Sequence, residues 1–404
     1  MIEHDVITHI HTEASCGEAS LLDPVISGAL RQVIGPDYDG RWQECINTPE
    51  QLAGELAPAG PVKILFMTDH VNEKSHRLNP RAISVATKDP RIGLGVEILT
   101  WHRDEDGNIV RAPEILIYGR ADQCRDGGGS RFGITQEDLD ILFDECSLDA
   151  AGKADIRLVR DYCLLNGYAH ALAHPFDGSE LSLPRLLDVI TDFKFVETVN
   201  GGFPADSSVR LSSFVSWYNK AADGLLPAGD ARSDLLNKMH AKALETGPIH
   251  PLGGSDAHAR NHDRVVVRYR SPKKKPTAGD FISDMVRLSP RALLAGRIFS
   301  IDGAPATKIS LLDDVATIAY RNFLSHRDLY KNRSQLFEVI AKTREITARE
   351  LMDRRVRRKE LLRQFDETIR ADIRASLARA RKRLRRKTKK EAPAKGPPLP
   401  ERAP

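Results

Sequence analysis

The chain has 404 residues, 41% of them hydrophobic and 29% charged, and a formal net charge of +4. That length allows one large α/β barrel of about 250 to 300 residues plus an appendage, or two ordinary domains. The absence of any run of about 18 apolar residues excludes an integral helical membrane protein, and five scattered cysteines, odd in number and without a C-x-x-C pair, fit a reducing compartment better than a disulfide framework.

Apolar runs of strand length, bounded by Gly, Pro or Asp, recur seven times. In chain order they are DVITHI (5–10), VKILFM (62–67), RIGLGVEI (91–98), EILIYG (114–119), YAHALA (168–173), FVETVN (195–200) and HPLGGS (250–255). Between them lie helix-like segments at 48–56, 135–145, 153–167, 182–192 and 233–247, several opening on Ser or Thr and two closing on Gly. Strands alternating with helices predict a parallel sheet, and seven near-continuous apolar ones predict a closed or nearly closed barrel. A Gly-rich insertion, RDGGGSRFG at 125–133, reads as a surface loop.

Past residue 309 the character changes to long helical stretches, first LLDDVATIAYRNFL (311–324), then a nearly unbroken run over 333–390. Within that run Leu361, Phe365, Ile369, Ile373 and Leu377 recur at every fourth residue, a narrow apolar stripe suited to a partner helix or to the barrel's flank. The expected layout is a barrel over 1–308, a charged helical extension over 309–390 and a Pro-rich disordered tail over 391–404. Residues 341–404 hold 22 Lys and Arg against 9 Asp and Glu, so +13 sits on an otherwise acidic body of −9.

Ligand-type side chains fall at the strand ends. His9 and His11 lie two residues apart on the first strand, where side chains leave the same face. His70 follows the second strand, Glu97 nearly ends the third, His174 follows the fifth, and Asp256 and His258 follow the seventh. Taken singly, His70 fits a turn cap, Glu97 an Arg partner and Asp256 a helix cap; together the plain readings require several coincidences. Barrel enzymes build their sites at this rim. Imidazoles with carboxylates suit zinc, manganese or iron, and a bridging carboxylate such as Glu97 suits two or three divalent ions.

The motifs HIH with TEAS, TDH, GVEI, AHP and GSDAH, in that order over residues 4–305, resemble those of the polymerase and histidinol phosphatase (PHP) superfamily. The resemblance implies a distorted seven-stranded (β/α)7 barrel and metal-dependent phosphoester hydrolysis. It further implies that His9, His11, Glu97, His174, Asp256 and His258 are metal ligands, with His70 serving a neighbouring ion. Two positions depart from the pattern. Cys16 stands where many members carry Asp, and Glu114 stands where a His often opens the strand; a carboxylate can replace imidazole as a ligand.

The expected reaction is in-line attack on phosphorus by a metal-held hydroxide. His76, Arg232 and Arg260 are candidates to protonate or neutralise the leaving group, and Asp69 and Asn200 are candidates to orient ligands. The expected substrate is a phosphorylated small molecule or a nucleotide. One alternative is a nuclease or nucleic-acid end-processing phosphatase using the basic tail; another is a non-catalytic scaffold in which Cys16 and Glu114 have dismantled the site. The tail's clustered cations suit a phosphate backbone or an anionic membrane surface, and its helix suits self-association. The N-terminus shows no basic leader followed by an apolar stretch, so the expected location is the cytoplasm.

Overall fold

The computed structural model describes residues 2–12, 15, 45, 47–55, 63–73, 76–120, 133–201, 205–226, 229, 232–254, 256, 265–287, 299–300 and 333–391. Cys16, His258, Arg260, most of the Gly-rich insertion, the expected helix at 311–324 and the tail beyond 391 lie outside them.

Strands form at all seven expected places, but the first is Ile2–Ile7 rather than 5–10, so His9 and His11 follow that strand instead of lying on it. The seven are β1 (Ile2–Ile7), β2 (Lys63–Val71), β3 (Ile92–Ile98), β6 (Ile115–Arg120), β7 (Tyr168–Leu172), β8 (Phe195–Asn200) and β9 (His250–Gly254). Together with β10 (Val265–Ser271) and β11 (Phe299–Ser300) they make one sheet in the order β11-β10-β1-β2-β3-β6-β7-β8-β9. The sheet bends until β9 faces the end of β1: Thr8 Oγ1 donates to the Gly253 carbonyl at 2.6 Å, and the Asp256 N–H to the His9 carbonyl at 3.0 Å. The result is a mixed α/β protein with a nearly closed, barrel-like sheet.

The all-parallel expectation fails at three places. β6 runs antiparallel to both β3 and β7, β10 is antiparallel to β1, and β11 is antiparallel to β10. The reason at β6 is the connection. A parallel return needs a crossover of a dozen or more residues, usually a helix. Here β3 leads instead into a small hairpin, β4 (Trp101–Arg103) and β5 (Ile109–Arg111), which sends the chain straight back.

Strand periodicity divides the core into two faces. From β2, Ile64 and Phe66 enter an inner cluster with Val6, Leu116, Tyr118, Ala169, Ala171, Phe195 and Leu252. Their neighbours Leu65 and Met67 enter an outer one under helices α1 (Pro49–Glu55) and α2 (Pro80–Lys88). The other outer face, bearing Val96, Ile98, Ile115, Ile117 and Val196, packs under α3 (Gln136–Glu145), α4 (Ile156–Leu165), α5 (Leu183–Asp192), α6 (Ala205–Ala222) and α7 (Asp234–Thr246). Phe281, Ile282 and Met285 of α8 (Ala278–Arg287) join the inner cluster.

Helix starts follow side-chain chemistry. Asn79 caps α2 ahead of Pro80, Thr135 and Asp138 form a reciprocal capping box on α3, and Asp155 accepts from the Arg157 and Leu158 N–H groups of α4. No helix among the described residues is long and apolar enough to cross a membrane.

The C-terminal extension is a long helix, α9 (Arg333–Phe365), a π-helical segment (Asp366–Arg370) and α10 (Ala371–Glu391). Its stripe lies on the barrel's flank, against α5 and α6. Leu361, Leu362, Phe365, Ile369, Ile373 and Ala380 are buried in the same cluster as Leu211 and Phe214 of α6. Positions four apart drift by about 40° per step around an α-helix. The wider π turn absorbs part of that drift, which keeps Ile369 and Ile373 on the buried face. Polar contacts fix the dock: Arg210 Nη2 meets Asp366 Oδ2 at 2.5 Å, and Asp372 accepts the Arg232 and Ser233 N–H groups at the start of α7.

Candidate metal centre

The inward rows of the strands end in ionisable groups at one rim. On β2 the row of Ile64 and Phe66 continues through Thr68 to His70; on β3 it reaches Glu97, and on β8 it passes from Phe195 to Glu197. His70 and Glu97 are register partners across β2 and β3. Because β6 runs the other way, the residue before its start reaches this same rim, and that residue is Glu114.

The segment after β1 is clamped. Thr68 donates its N–H to the Ile10 carbonyl, and Asp69 accepts both the Thr12 N–H and the Thr12 hydroxyl at 2.6 Å. His9 and His11, both fully buried, therefore hang at a fixed place.

Four donors converge there. His9 Nε2 lies 3.1 Å from Glu97 Oε2, 3.2 Å from His11 Nε2 and 3.6 Å from Asp256 Oδ1. His11 Nε2 lies 3.3 Å from Glu97 Oε2 and 3.1 Å from Asp256 Oδ1. Donors about 2.1 Å from a tetrahedral ion stand about 3.4 Å from each other, so this spacing is that of ligands around one cation. A second group adjoins it: His174 Nε2 is 2.9 Å from Glu97 Oε1 and 3.3 Å from Glu114 Oε2. Glu97 thus gives one oxygen to each group, and His70 Nδ1 stands 3.1 Å from Glu97 Oε2. These buried clusters could hold metal ions.

Electrostatics agree with a cation site. Glu97, Glu114, Glu197 and Asp256 bring four carboxylates into a volume nearly closed to water, and buried charge of one sign demands a counter-charge. Burial alone would strip protons from the imidazoles, but the surrounding carboxylates outweigh it. His9 is held well above its ordinary pKa by Glu97, Glu197 and Asp256. His11 is raised to about 9 by Asp256 and Glu97, and His174 to about 10 by Glu97 and Glu114. Bound cations would take the place of those protons.

Supporting contacts orient the donors. Glu197 Oε1 faces His9 Nδ1 at 3.1 Å, which leaves Nε2 directed at the cluster. Its other oxygen accepts the His174 N–H at 3.0 Å and Asn200 Nδ2 at 2.9 Å. Asn200 also donates to Asp256 Oδ2 at 3.2 Å. Gly254 makes room for Glu197: a Cβ there would sit 1.9 Å from Glu197 Oε1. Asp256 holds a left-handed φ of 47°, uncommon for a residue with a side chain.

Seven of the eight expected ligands, all but His258, fall within the described residues, and those seven come together. Asn200 orients Asp256 as expected, and Asp69 orients the loop bearing His11 through Thr12. Two expected catalytic side chains are not brought to the cluster. His76 Nε2 pairs with Asp140 at 3.3 Å and its ring packs on Phe143 of α3; Arg232 is exposed, its backbone N–H bonded to Asp372. Sequence reading missed Glu197, whose signal was a lone acid two residues after Phe195 in an apolar strand. It also missed Arg111, whose Nη2 bonds Glu114.

No protein-family model matches the chain, and no curated protein matches it.

Proposed function

We propose that the chain is a metal-dependent phosphoesterase of the polymerase and histidinol phosphatase type, hydrolysing a phosphate ester of a small molecule or nucleotide on a distorted (β/α)7 barrel. The observation that carries this reading is Glu97, whose two oxygens face two separate sets of buried donors. In it, His9, His11, Glu97 and Asp256 hold one ion, His174, Glu97 and Glu114 hold a second, and His70 stands ready for a third.

Ions of zinc, manganese or iron held there supply an activated water near neutral pH and neutralise charge on phosphoryl oxygens. The protein's own groups set the stage. Glu197 fixes the tautomer and direction of His9, Asn200 fixes Asp256, and burial keeps bulk water from the donors. Glu114 stands within reach of His174, which argues against a dismantled scaffold.

The test is turnover of p-nitrophenyl phosphate by purified full chain with added manganese, beside a metal stoichiometry. Turnover should follow metal content and vanish on chelation. Asp256→Ala should lose bound metal and reduce turnover by more than the 10- to 100-fold typical of losing an outer partner. Protein that carries no transition metal and is inert towards this ester would sink the proposal.

A further inference from the structure

Arg111 closes β5 beside the ion cluster, with a side chain only 5% exposed. Its Nη2 bonds Glu114, yet Nε and Nη1 are buried and make no hydrogen bond among the described residues. A guanidinium carries five N–H donors and stays charged. Buried donors are normally satisfied, and one that is not calls for an absent partner. For a cation with unused N–H groups beside carboxylates that are already engaged, that partner is an anion.

The C-terminal helix meets Arg111 at this point. Arg354 and Arg358 are four apart and continue, towards the rim, the face that buries Leu361, Leu362 and Phe365. Arg358 Nη1 bonds Asp177 Oδ1 at 2.9 Å, and the Asp177 N–H bonds the His174 carbonyl. Glu180 clasps the three pieces: its N–H bonds the Arg111 carbonyl, its Oε2 accepts the Arg111 N–H, and its Oε1 accepts from Arg357 of α9. Arg354 acts electrostatically on both Arg111 and Asp177. Four guanidinium groups, Arg111, Arg354, Arg357 and Arg358, thus gather with three carboxylates, Glu114, Asp177 and Glu180, on one side of the candidate ions.

We propose that Arg111, with Arg354 and Arg358 of α9 around it, forms an oxyanion subsite that takes a phosphate oxygen of the substrate, so that the C-terminal helix is part of the substrate site. The inference rests on the phosphoesterase reading for the identity of the anion, while the subsite itself rests on the arginines. Arg111 Nε–H and the Nη1 amino group point to different sides of the guanidinium, with Nη2 held by Glu114 between them, so each offers a single donor to one anion oxygen. Arg358 is a positioning residue that ties α9 to the 174–180 loop through Asp177.

The experiment is calorimetric titration of inorganic phosphate into the metal-loaded full chain and into Arg111→Gln and Arg354→Gln, with metal content measured for each. The expected result is that Arg111→Gln weakens phosphate binding about tenfold or more, and Arg354→Gln severalfold, compared at matched metal loading because Arg111 also holds the candidate ligand Glu114. Arg354 is only partly buried, so its variant keeps the test valid if Arg111→Gln fails to fold. Phosphate binding within twofold of wild type in both folded variants, or no phosphate binding to the metal-loaded wild type, overturns the subsite. Turnover of p-nitrophenyl phosphate separates the two claims. Arginine-dependent phosphate binding without turnover removes the esterase reading and leaves the subsite, whereas turnover with arginine-independent binding does the reverse.

Discussion

Glu197 holds two of the candidate ligands in place and, with His9 and His174, makes a third buried group that could take an ion. Its Oε1 meets His9 Nδ1 and its Oε2 takes two donors, so its task is to hold His9 and the chain at His174 in place. Glu197→Gln should keep the fold and lower metal affinity about 10- to 100-fold, read by competition with a chelator; unchanged affinity would show that Glu197 is dispensable. The histidines give a pH prediction with a definite sign. In ion-free protein His11 titrates at about 9 and His174 at about 10, against about 6.5 when unfolded. The folded state therefore binds more protons than the unfolded one across that window, so this stabilisation is complete below about pH 6.5 and lost as pH rises towards 10. Chelator-treated protein unfolded in urea at pH 6, 8 and 10 should show a falling midpoint, and a rising one would contradict the cluster's geometry. At this scale the sequence was informative where a ligand type broke an apolar strand end, as at His70, Glu97 and His174. It was silent on Arg111, because an Arg before a Pro-bounded strand looks like any surface residue until α9 covers it.

At the scale of elements, periodicity carried the strands and the stripe, while connection geometry carried the rest. Seven apolar runs became seven strands, but nothing in EILIYG alone says which way it points. The hairpin of β4 and β5 decides that, and its strands of three residues are too short to show a period. The stripe on the extension left two coverings open, a partner helix or the flank, and the structure shows the flank. Phe365 is the point to test. It is fully buried, its ring lies edge-on to Phe176 at 5.9 Å, and it adjoins the π segment. Phe365→Ala should cost about 3–5 kcal/mol of unfolding free energy, measured by urea denaturation. Because Arg358 lies two turns earlier on the same helix, the variant should also weaken phosphate binding. A loss below about 1 kcal/mol would mean that α9 is held by its ion pairs instead, a role exposed pairs seldom fill.

Across the whole molecule, charge is segregated by depth of docking. The extension's last described buried residue is Ala380, and α10 continues to Glu391. In between, residues 381–390 carry eight Lys or Arg and no acid, on a chain whose first 340 residues sum to −9. We propose that this basic run binds polyanions, in which case phosphate contacts would make affinity depend steeply on salt, with a slope near −0.9 per contact on duplex DNA. No aromatic residue follows Phe365, so base stacking adds nothing and sequence preference is not expected. A chain ending at residue 380 keeps the stripe and both Arg354 and Arg358. It should therefore turn over p-nitrophenyl phosphate as the full chain does, while its affinity for a mixed-sequence oligonucleotide collapses together with the salt slope. Anionic vesicles are the control, because a membrane partner would show the same loss on lipid and little binding to the oligonucleotide at any salt. Oligonucleotide affinity that survives the truncation would move the nucleic-acid contact onto residues 1–380, where among the described residues Arg111, Arg354 and Arg358 stand beside the candidate ions.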